Sequence, residues 1–168
     1  MRKKINIAVE LCHANAKLPK YANDSDSGMD VYTIEDMEIG IGETKIFKTG
    51  LKVVIPDGYE IQVRPRSGVS YKTPLRVSNS PGTIDSGYRN EIGIIVTNTS
   101  TKHAENYQTS YSLDTKGNIQ GVYKIPKGSR IAQIVLQEVP YMNFTIVNSV
   151  LDVDSSDRGG GFGSTGIK

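Results

Sequence analysis

The stretch YEIQVRPRSGVSYK, residues 59–72, decides the fold class because a strand pattern leads directly into a helix signal. Ile61 and Val63 alternate with polar residues, and this period of two is typical of a half-buried strand. The following SGVSYK, residues 67–72, is the one helical candidate of the chain, and Ser67 is of the type that caps a helix. The stretch therefore predicts a strand that ends in a very short helix.

The other apolar patterns of the chain also predict strands. Near the start, Ile5, Ile7, Val9 and Leu11 recur at every second position. Four further runs are rich in β-branched residues and bounded by turn signals, which indicates buried strands: LKVVIP (51–56), IGIIVT (92–97), RIAQIVL (130–136) and FTIVNSVL (144–151). No segment keeps a helical repeat over ten residues, so we predict an all-β fold of the sandwich or barrel type.

Composition limits the classes of protein and of site. With 168 residues, 37% of them hydrophobic, the chain has the size and the apolar content of one domain. Its net charge of +2 gives no large field of one sign, so we expect no nucleic-acid or membrane partner. Cys12 is the only cysteine, and His13 and His103 lack the spacing of metal ligands. We find no apolar run of signal-peptide or membrane-spanning length, and we expect a cytoplasmic protein.

The segment DSDSGMDVYT contains a cluster of acidic residues, Asp24, Asp26 and Asp30, around a glycine. Such a cluster is often an ordinary acidic turn before a strand. It is also typical of a Mg²⁺ site, because Mg²⁺ binds one or two carboxylates together with waters and substrate phosphates. Both interpretations stay open on these residues alone.

The segment RPRSGVS has a comparable ambiguity. Arg64 and Arg66 are either solvated charges at a strand end or ligands of an anion. Arg66, Ser67 and Gly68 stand where the predicted strand turns into the predicted helix, and backbone N–H groups exposed there favour phosphate. Gly68 would allow a ligand to approach the backbone closely.

Residues 79–89, NSPGTIDSGYR, predict a tight hairpin around a Pro-Gly turn. This is ordinary turn chemistry, but it also places Asn79, Asp85 and Tyr88 on one small structure. Asp85 is a candidate general base for a water molecule, and the ring of Tyr88 is a candidate wall for a sugar or a base. The hairpin is therefore a candidate ligand-binding element.

Two further candidates lie near the C-terminus. Gln133 stands inside an apolar strand, where its amide is either a satisfied core group or a ligand contact. The final stretch DRGGGFGSTGIK, residues 157–168, indicates disorder by its composition. Its Arg158 is nevertheless a candidate clamp for an oxyanion, and its glycine N–H groups and its Ser164 hydroxyl are candidate donors.

Five of these segments, in this order, resemble the motifs of the homotrimeric deoxyuridine triphosphate nucleotidohydrolase (dUTPase) family: DSGMDVY, RPRSGVS, NSPGTIDSGYRNEIG, GSRIAQ and DRGGGFGSTG. The resemblance extends from about residue 5 to the C-terminus and excludes roughly 99–123. It implies a jelly-roll-like β-barrel over residues 1–152, with 99–123 as a surface insertion and candidate contact for a protein partner. It also implies a homotrimer in which a Gly-rich lid arm, residues 153–168, is exchanged between subunits.

The same resemblance implies Mg²⁺-dependent hydrolysis of dUTP to dUMP and pyrophosphate, which lowers dUTP and supplies dUMP for thymidylate synthesis. Asp85 would activate the water that attacks the α-phosphorus in line, and Asp30 would hold Mg²⁺ through water. Tyr88 would pack under the deoxyribose and exclude a 2′-hydroxyl. The implied phosphate ligands are Arg66, Ser67, Gly68 and Gln133. The implied uracil-binding residues are Asn79, Thr83, Ile84 and Gly93, and the implied lid residues are Arg158, Phe162, Gly163 and Ser164.

The chain departs from the family pattern in two motifs. Ser129 stands where the fourth motif usually carries an aspartate, and Arg158 and Phe162 are one residue closer together than in most members. Two alternatives remain: a dCTP deaminase of the same superfamily, and a regulatory binding protein that uses residues 99–123. RSGVS and TIDSGY favour hydrolysis over deamination. The intact polar residues argue against lost activity but leave a second role open.

Overall fold

The computed structural model describes residues 2–101, 109–157 and 159–160, and within these ranges it contains twelve strands and one short α-helix. The bounds are β1 Ala8–Leu11, β2 Met29–Tyr32, β3 Met37–Ile39, β4 Thr44–Lys48, β5 Leu51–Val54, β6 Tyr59–Pro65, α1 Ser67–Lys72, β7 Leu75–Val77, β8 Gly82–Ile84, β9 Gly93–Asn98, β10 Ser110–Tyr111, β11 Val122–Ile125 and β12 Arg130–Glu138. A single 3-10 turn follows at Val150–Asp152. The all-β prediction is confirmed.

The described strands form four sheets, and the largest of them carries Asp30, Arg64, Thr83 and Gln133. Its order is β2-β12-β6-β8, and each of its pairs is antiparallel. The other sheets have the orders β4-β9-β7, β10-β11-β3 and β1-β5. This arrangement of short, mostly antiparallel strands is consistent with the jelly-roll class.

Alternation along the strands builds the core. In β9, Ile94, Val96 and Asn98 are buried while the residues between them are only partly buried. Phe47 and Tyr123 are the largest fully buried side chains among the described residues. Since β5, β6, β9 and β11 turn every second side chain inward, one hydrophobic cluster joins the sheets.

Asn98 is the polar exception within this core. Its side-chain Nδ2 donates to the carbonyl oxygens of Ile39, at 3.1 Å, and of Gly121, at 2.8 Å. Its Oδ1 accepts from the N–H of Ser100 at 3.0 Å. The buried amide is therefore satisfied, and it connects β9 to the segments around β3 and β11.

The helix α1 forms where the sequence predicts it, but its cap differs from the prediction. Arg66 is the N-cap residue, no side chain caps the helix, and Ser67 is already its first residue. At the other end, the N–H and the hydroxyl of Thr73 both donate to the carbonyl of Val69, at 3.0 and 2.8 Å. Pro74 follows and cannot continue a helix. The strand therefore passes into the helix at Arg66, whose side chain is left for other contacts.

Two strand predictions need correction. The N-terminal strand begins only at Ala8, and Val9 and Leu11 are exposed although their partners Val53 and Leu51 on β5 are buried. Among the described strands, β1 pairs with β5 alone, so pairing fixes its backbone without burying its side chains. FTIVNSVL, residues 144–151, is not a buried strand: Phe144 is 83% exposed and Ile146 is 98% exposed. Beyond Glu138, where β12 ends, the segment finds no ladder partner in the described part of the chain.

Residues 109–123 are attached to the body by β10 and β11. These two strands pair in parallel, and the rings of Tyr111 and Tyr123 pack with centroids 6.0 Å apart. Residues 102–108 of the sequence-defined insertion lie outside the described residues. Among the helices that the structure describes, none is long and apolar enough to cross a membrane.

Candidate active site

A row of four polar residues crosses one face of the largest sheet. Lys20 forms an isolated antiparallel bridge with Asp30 on β2, Asp30 lies opposite Gln133 on β12, and Gln133 lies opposite Arg64 on β6. Directly opposed residues of antiparallel strands project to the same face. Residues that are far apart in the sequence are thus brought side by side.

Asp30 is the electrostatic centre of this face. Its Oδ1 lies 2.7 Å from Nε of Arg66, and its Oδ2 lies 3.1 Å from Nη1 of Arg130. Nη1 of Arg66 also donates to the backbone oxygen of Arg130 at 3.0 Å. The Asp30 side chain is 20% exposed, so these charge-assisted bonds are partly shielded from water. The first, second and fourth motif segments are therefore connected through one carboxylate.

Ser129 takes a local role in the fourth segment. Its hydroxyl donates to the carbonyl of Pro126 at 2.6 Å and closes the turn before β12. Its own carbonyl accepts from the N–H of Thr33 at 3.0 Å. The adjacent Arg130 is paired with Asp30, so its charge has a partner although position 129 has no carboxylate.

Gln133 is half-buried, and its side chain has one hydrogen-bond partner among the described residues. Its Nε2 donates to the carbonyl of Pro65 at 2.9 Å. Its side-chain oxygen lies against Gly28, where an added Cβ would collide with the amide group. The absence of a side chain at position 28 therefore lets the loop approach the amide of Gln133.

These groups surround an open surface pocket with a volume of about 380 Å³. The pocket is bordered by the loop before β2, by the end of β6, by the start of α1 and by β12. Its lining residues are Lys20, Ala22, Asp26, Ser27, Gly28, Asp30, Arg66, Ser67, Gly68 and Gln133. Cationic, hydroxyl and amide groups on an open concave surface suit the oxygens of a polyphosphate.

The donor set of the pocket fits a cation that is held mainly by its substrate. Among the described residues, no three His, Cys, Asp or Glu side chains cluster as metal ligands. The Asp26 carboxylate accepts a hydrogen bond from the N–H of Asn23 at 2.9 Å and stabilises the turn there. The Asp30 carboxylate lines the pocket and is the candidate that is left for a cation. One or two carboxylates with waters and substrate phosphates are the usual protein environment of Mg²⁺.

The tight hairpin predicted for residues 79–89 does not form: β8 pairs with β6 at the edge of the same sheet, whereas β7 pairs with β9 in another sheet. We call residues 79–93 the hairpin after their predicted form. Gly82 lies opposite Val63 and Ile84 lies opposite Ile61. A Cβ at position 82 would come within 3.1 Å of Nδ2 of Asn79, which explains the small residue there. Thr83, between Gly82 and Ile84, is exposed. The hairpin is thus fixed by backbone pairing and close packing.

Beyond β8, the chain holds Tyr88 firmly and leaves Asp85 exposed. The N–H of Tyr88 donates to the carbonyl of Asp85 at 3.0 Å, and its hydroxyl donates to the carbonyl of Glu91 at 2.9 Å. The Glu91 carboxylate in turn accepts the N–H of Gly50 at 2.7 Å. Gly93 starts β9, and a Cβ there would lie 2.6 Å from Cγ2 of Ile46. The tyrosine ring is therefore anchored at both ends.

The pocket and the hairpin do not meet within one chain. Ile84, which precedes Asp85, lies opposite Ile61, whereas Arg66 follows the far end of β6. Arg66 lies five positions after Ile61, and in an extended strand their Cα atoms are about 16 Å apart. The structure brings together Asp30, Arg66, Ser67, Gly68 and Gln133, and it keeps Asp85 away from them.

The predicted lid residues Arg158, Phe162, Gly163 and Ser164 lie outside the described residues. The residues at the pocket that were not predicted as site residues are Lys20, Ala22, Ser27 and Gly28, which line it, and Arg130, which binds Asp30. Arg130 stands in the GSRIAQ segment, but its contact with Asp30 joins positions 100 residues apart. Lys20 and Gly28 carry no local signal beyond their closeness to the acidic cluster.

The fold and the pocket define the class of protein: an all-β protein with a surface site suited to phosphate groups. The family model described as dUTPase matches residues 14–107, more than half of the chain. A deoxyuridine 5'-triphosphate nucleotidohydrolase from Picosynechococcus sp. is 44% identical over 155 residues, which cover 92% of this chain and 94% of that protein. The chain belongs to the dUTPase family, as the five sequence motifs predict.

Solved structures agree with this assignment. The dUTPase of Staphylococcus bacteriophage 80alpha, solved with dUPNHPP, has a TM-score of 0.84 and 31% identity, and the match covers 98% of this chain and all of that one. A mutant dUTPase from phage phi11 of S. aureus, described with a structural Mg(II) ion, has a TM-score of 0.77 and 28% identity. That match covers 88% of this chain and 99% of the phage chain.

Proposed function

We propose that this protein hydrolyses dUTP to dUMP and pyrophosphate in a Mg²⁺-dependent reaction, by in-line attack of water on the α-phosphorus. The observation that carries the proposal is the pocket in which Asp30, Arg66 and Gln133 meet, because it joins three motif segments into one site for phosphate groups. Membership of the dUTPase family supports dUTP as the substrate. The product dUMP would serve thymidylate synthesis.

Arg66, Ser67, Gly68 and Gln133 would hold the phosphate chain. A guanidinium group has five N–H donors, and Asp30 and the Arg130 carbonyl engage two of those of Arg66. The others are available to phosphate oxygens. Ser67 and Gly68 are exposed beside the pocket, and a Cβ at Gly68 would meet no protein atom within 4 Å.

Asp30 is the residue that would hold Mg²⁺, through water. Each of its oxygens accepts from one guanidinium group and keeps a further lone pair, to which a metal-bound water could donate without displacing either arginine. When bound, Mg²⁺ would neutralise charge on the phosphates. Arg66 and Arg130 orient the carboxylate.

The hairpin would bind the nucleoside. The residues assigned to the uracil edge are Asn79, Thr83, Ile84 and Gly93. Tyr88 would lie under the deoxyribose, and the anchoring of its hydroxyl by the Glu91 carbonyl supports a ring that cannot move aside for a 2′-hydroxyl. Steric exclusion by a fixed ring discriminates more strongly than the loss of one apolar contact.

Asp85 would orient the attacking water and accept its proton. Its carboxylate is exposed at the hairpin, so it is accessible to a water at the bound nucleotide. The water oxygen would form the new bond to the α-phosphorus while the bond from that phosphorus to the bridging oxygen breaks. Pyrophosphate then leaves, and its charge is absorbed by the arginines of the pocket.

A complete site would need more than one copy of the chain, and we assign a homotrimer. Arg66 lies about 16 Å along β6 from Ile61, the residue opposite the end of β8 that leads to Asp85, and this separation supports sites shared between subunits. The exposed apolar side chains after β12, among them Tyr141 at 96% and Ile146 at 98%, support an arm that packs on a neighbour. The lid residues Arg158, Phe162, Gly163 and Ser164 would then close over the nucleotide.

One assay tests the reaction. Purified protein with Mg²⁺ and dUTP, dCTP or dTTP should release pyrophosphate from dUTP alone; ammonia from dCTP would instead indicate a deaminase. Asp85→Asn should keep dUTP binding and lose turnover by about 10³-fold or more, since it removes the general base. Asp57→Asn, at an exposed turn, is the matched control. Near-normal hydrolysis by Asp85→Asn would refute the mechanism.

A further inference from the structure

Lys20 lines the phosphate pocket although it belongs to none of the five motifs. Its backbone bridges to that of Asp30, so its side chain leaves the sheet on the same face as the Asp30 carboxylate. It occupies the outer end of the polar row that continues through Asp30 and Gln133 to Arg64. Two observations therefore place Lys20 at the pocket: it is one of the lining residues, and its backbone bridge to Asp30 directs its side chain to the pocket face of the sheet.

The charge of Lys20 is not neutralised by the described part of the protein. Within that part, its ammonium lies within 4.0 Å of no carboxylate oxygen, whereas Lys45, Lys52 and Lys124 each form an ion pair. Asp30, the acidic group nearest in the row, is already paired with two arginines. The pocket thus presents a lysine whose positive charge is available to an anion.

We propose that Lys20 is a further substrate-binding residue of this site, whose ammonium group contacts the polyphosphate chain of the nucleotide. The inference rests on the proposed function, because it assigns a residue to that same substrate. An ammonium is a compact charge on a flexible stem, so it strengthens binding of phosphate oxygens without fixing their orientation. Lys20 should therefore influence affinity for the polyphosphate more than the rate of the chemical step.

The test compares Lys20→Met with Lys116→Met, an exposed lysine of the 109–123 segment that gives the same change in net charge. We expect Lys20→Met to raise the KM for dUTP about tenfold with kcat within about twofold, the usual magnitude for one charged hydrogen bond. Lys20→Arg should restore most of the affinity. Unchanged KM in Lys20→Met, or an equal rise in Lys116→Met, would overturn the proposal.

A binding measurement keeps the test independent of turnover. Calorimetric titration with inorganic pyrophosphate should show about tenfold weaker binding to Lys20→Met than to the wild type and to Lys116→Met. If the wild type binds pyrophosphate with this dependence on Lys20 but does not hydrolyse dUTP, the proposed function fails while the assignment of Lys20 stands. Equal pyrophosphate affinity in the three proteins would refute the role of Lys20.

Discussion

The pocket around Asp30 and the hairpin at β8 are held together by different kinds of contact. In the pocket, Asp30 holds Arg66 and Arg130, residues 36 and 100 positions away, through ion pairs across three strands. In the hairpin, the contacts of Tyr88 reach three residues along the chain, and Asp85 projects into solvent. The pocket is thus organised by side-chain ion pairs between distant segments, whereas the hairpin is held by the backbone pairing of β8 with β6 and by short-range contacts of Tyr88, with Asp85 exposed. Under the proposed function, a site assembled from both would take the hairpin of another copy.

Mixing two inactive variants should test this separation with the largest effect. Under the proposed mechanism, Arg66→Ala removes a phosphate ligand and Asp85→Asn removes the general base, so each variant alone should be inactive. When the two chains are refolded together, about a quarter of the sites in random trimers would combine intact Arg66 with intact Asp85 from different copies. We expect pyrophosphate release to reappear in the mixture. A mixture as inactive as its components would show that each chain supplies its own complete site.

Gly28→Ala should damage the pocket and leave the hairpin intact. The new Cβ meets the far end of the flexible Gln133 side chain, which has to turn aside, and the loss of its hydrogen bond to the Pro65 carbonyl would cost about 0.5–1.5 kcal/mol. We expect a lower thermal midpoint and a raised KM for dUTP. Gly68→Ala is the contrast, because a Cβ there meets no protein atom and should affect substrate binding without loss of stability.

A double variant checks the physical cause of the Gly28→Ala effect. Truncation in Gln133→Ala removes the atoms that the new Cβ meets, so Gly28→Ala should cost much less stability in that background. Chemical denaturation of the four proteins in this cycle measures the coupling. Additive effects of the two substitutions would show that the collision is not the cause.

Tyr88→Phe should weaken the hairpin. It removes the hydroxyl that donates to the Glu91 carbonyl, a loss of about 0.5–1.5 kcal/mol. We expect a modest fall in stability and poorer rejection of UTP relative to dUTP, because the ring is less firmly held. Tyr71→Phe, at a residue that is 84% exposed, should change neither quantity. Unaltered discrimination in Tyr88→Phe would contradict a positioning role for the hydroxyl.

The smallest effect is expected at Glu43, in a turn remote from both regions. A hydrogen bond from the N–H of Gly40, with help from Lys45, lowers the pKa of the Glu43 carboxyl. Its stabilisation is therefore present above the unfolded-state pKa and is lost as the pH falls through the lower folded-state pKa. Glu43→Gln should lower the thermal midpoint by about 1–2 °C at pH 7, and the difference should shrink in acid. A difference that grows in acid would contradict this sign.

The sequence predicts those parts of the molecule whose signals are local. The strands over residues 59–65 and 130–136 and the helix at 67–72 follow from periodicity and turn residues, and all three form. The segment FTIVNSVL carries the same apolar signal but remains exposed, because periodicity indicates a face to bury and not the surface that covers it. Tertiary context decides that question.

The pocket shows the same limit at the level of side chains. The motifs identify Asp30, Arg66 and Gln133 as functional candidates, yet the pairing of Asp30 with Arg130 depends on strand register between distant segments. Lys20 is placed beside Asp30 by a single backbone bridge, which no local sequence pattern predicts. Residue types can therefore be predicted from motifs, whereas their partners depend on topology.

The two ion pairs of Asp30 also affect which anions can bind in the pocket. An incoming anion has to compete with a carboxylate that already holds Arg66 and Arg130 at 2.7 and 3.1 Å. We expect a singly charged ion such as chloride to bind weakly beside this carboxylate, whereas a polyphosphate brings several negative oxygens at once and can reach the remaining N–H donors of both guanidinium groups. The Asp30 carboxylate would then select anions by their charge and by the number of contacts that they make.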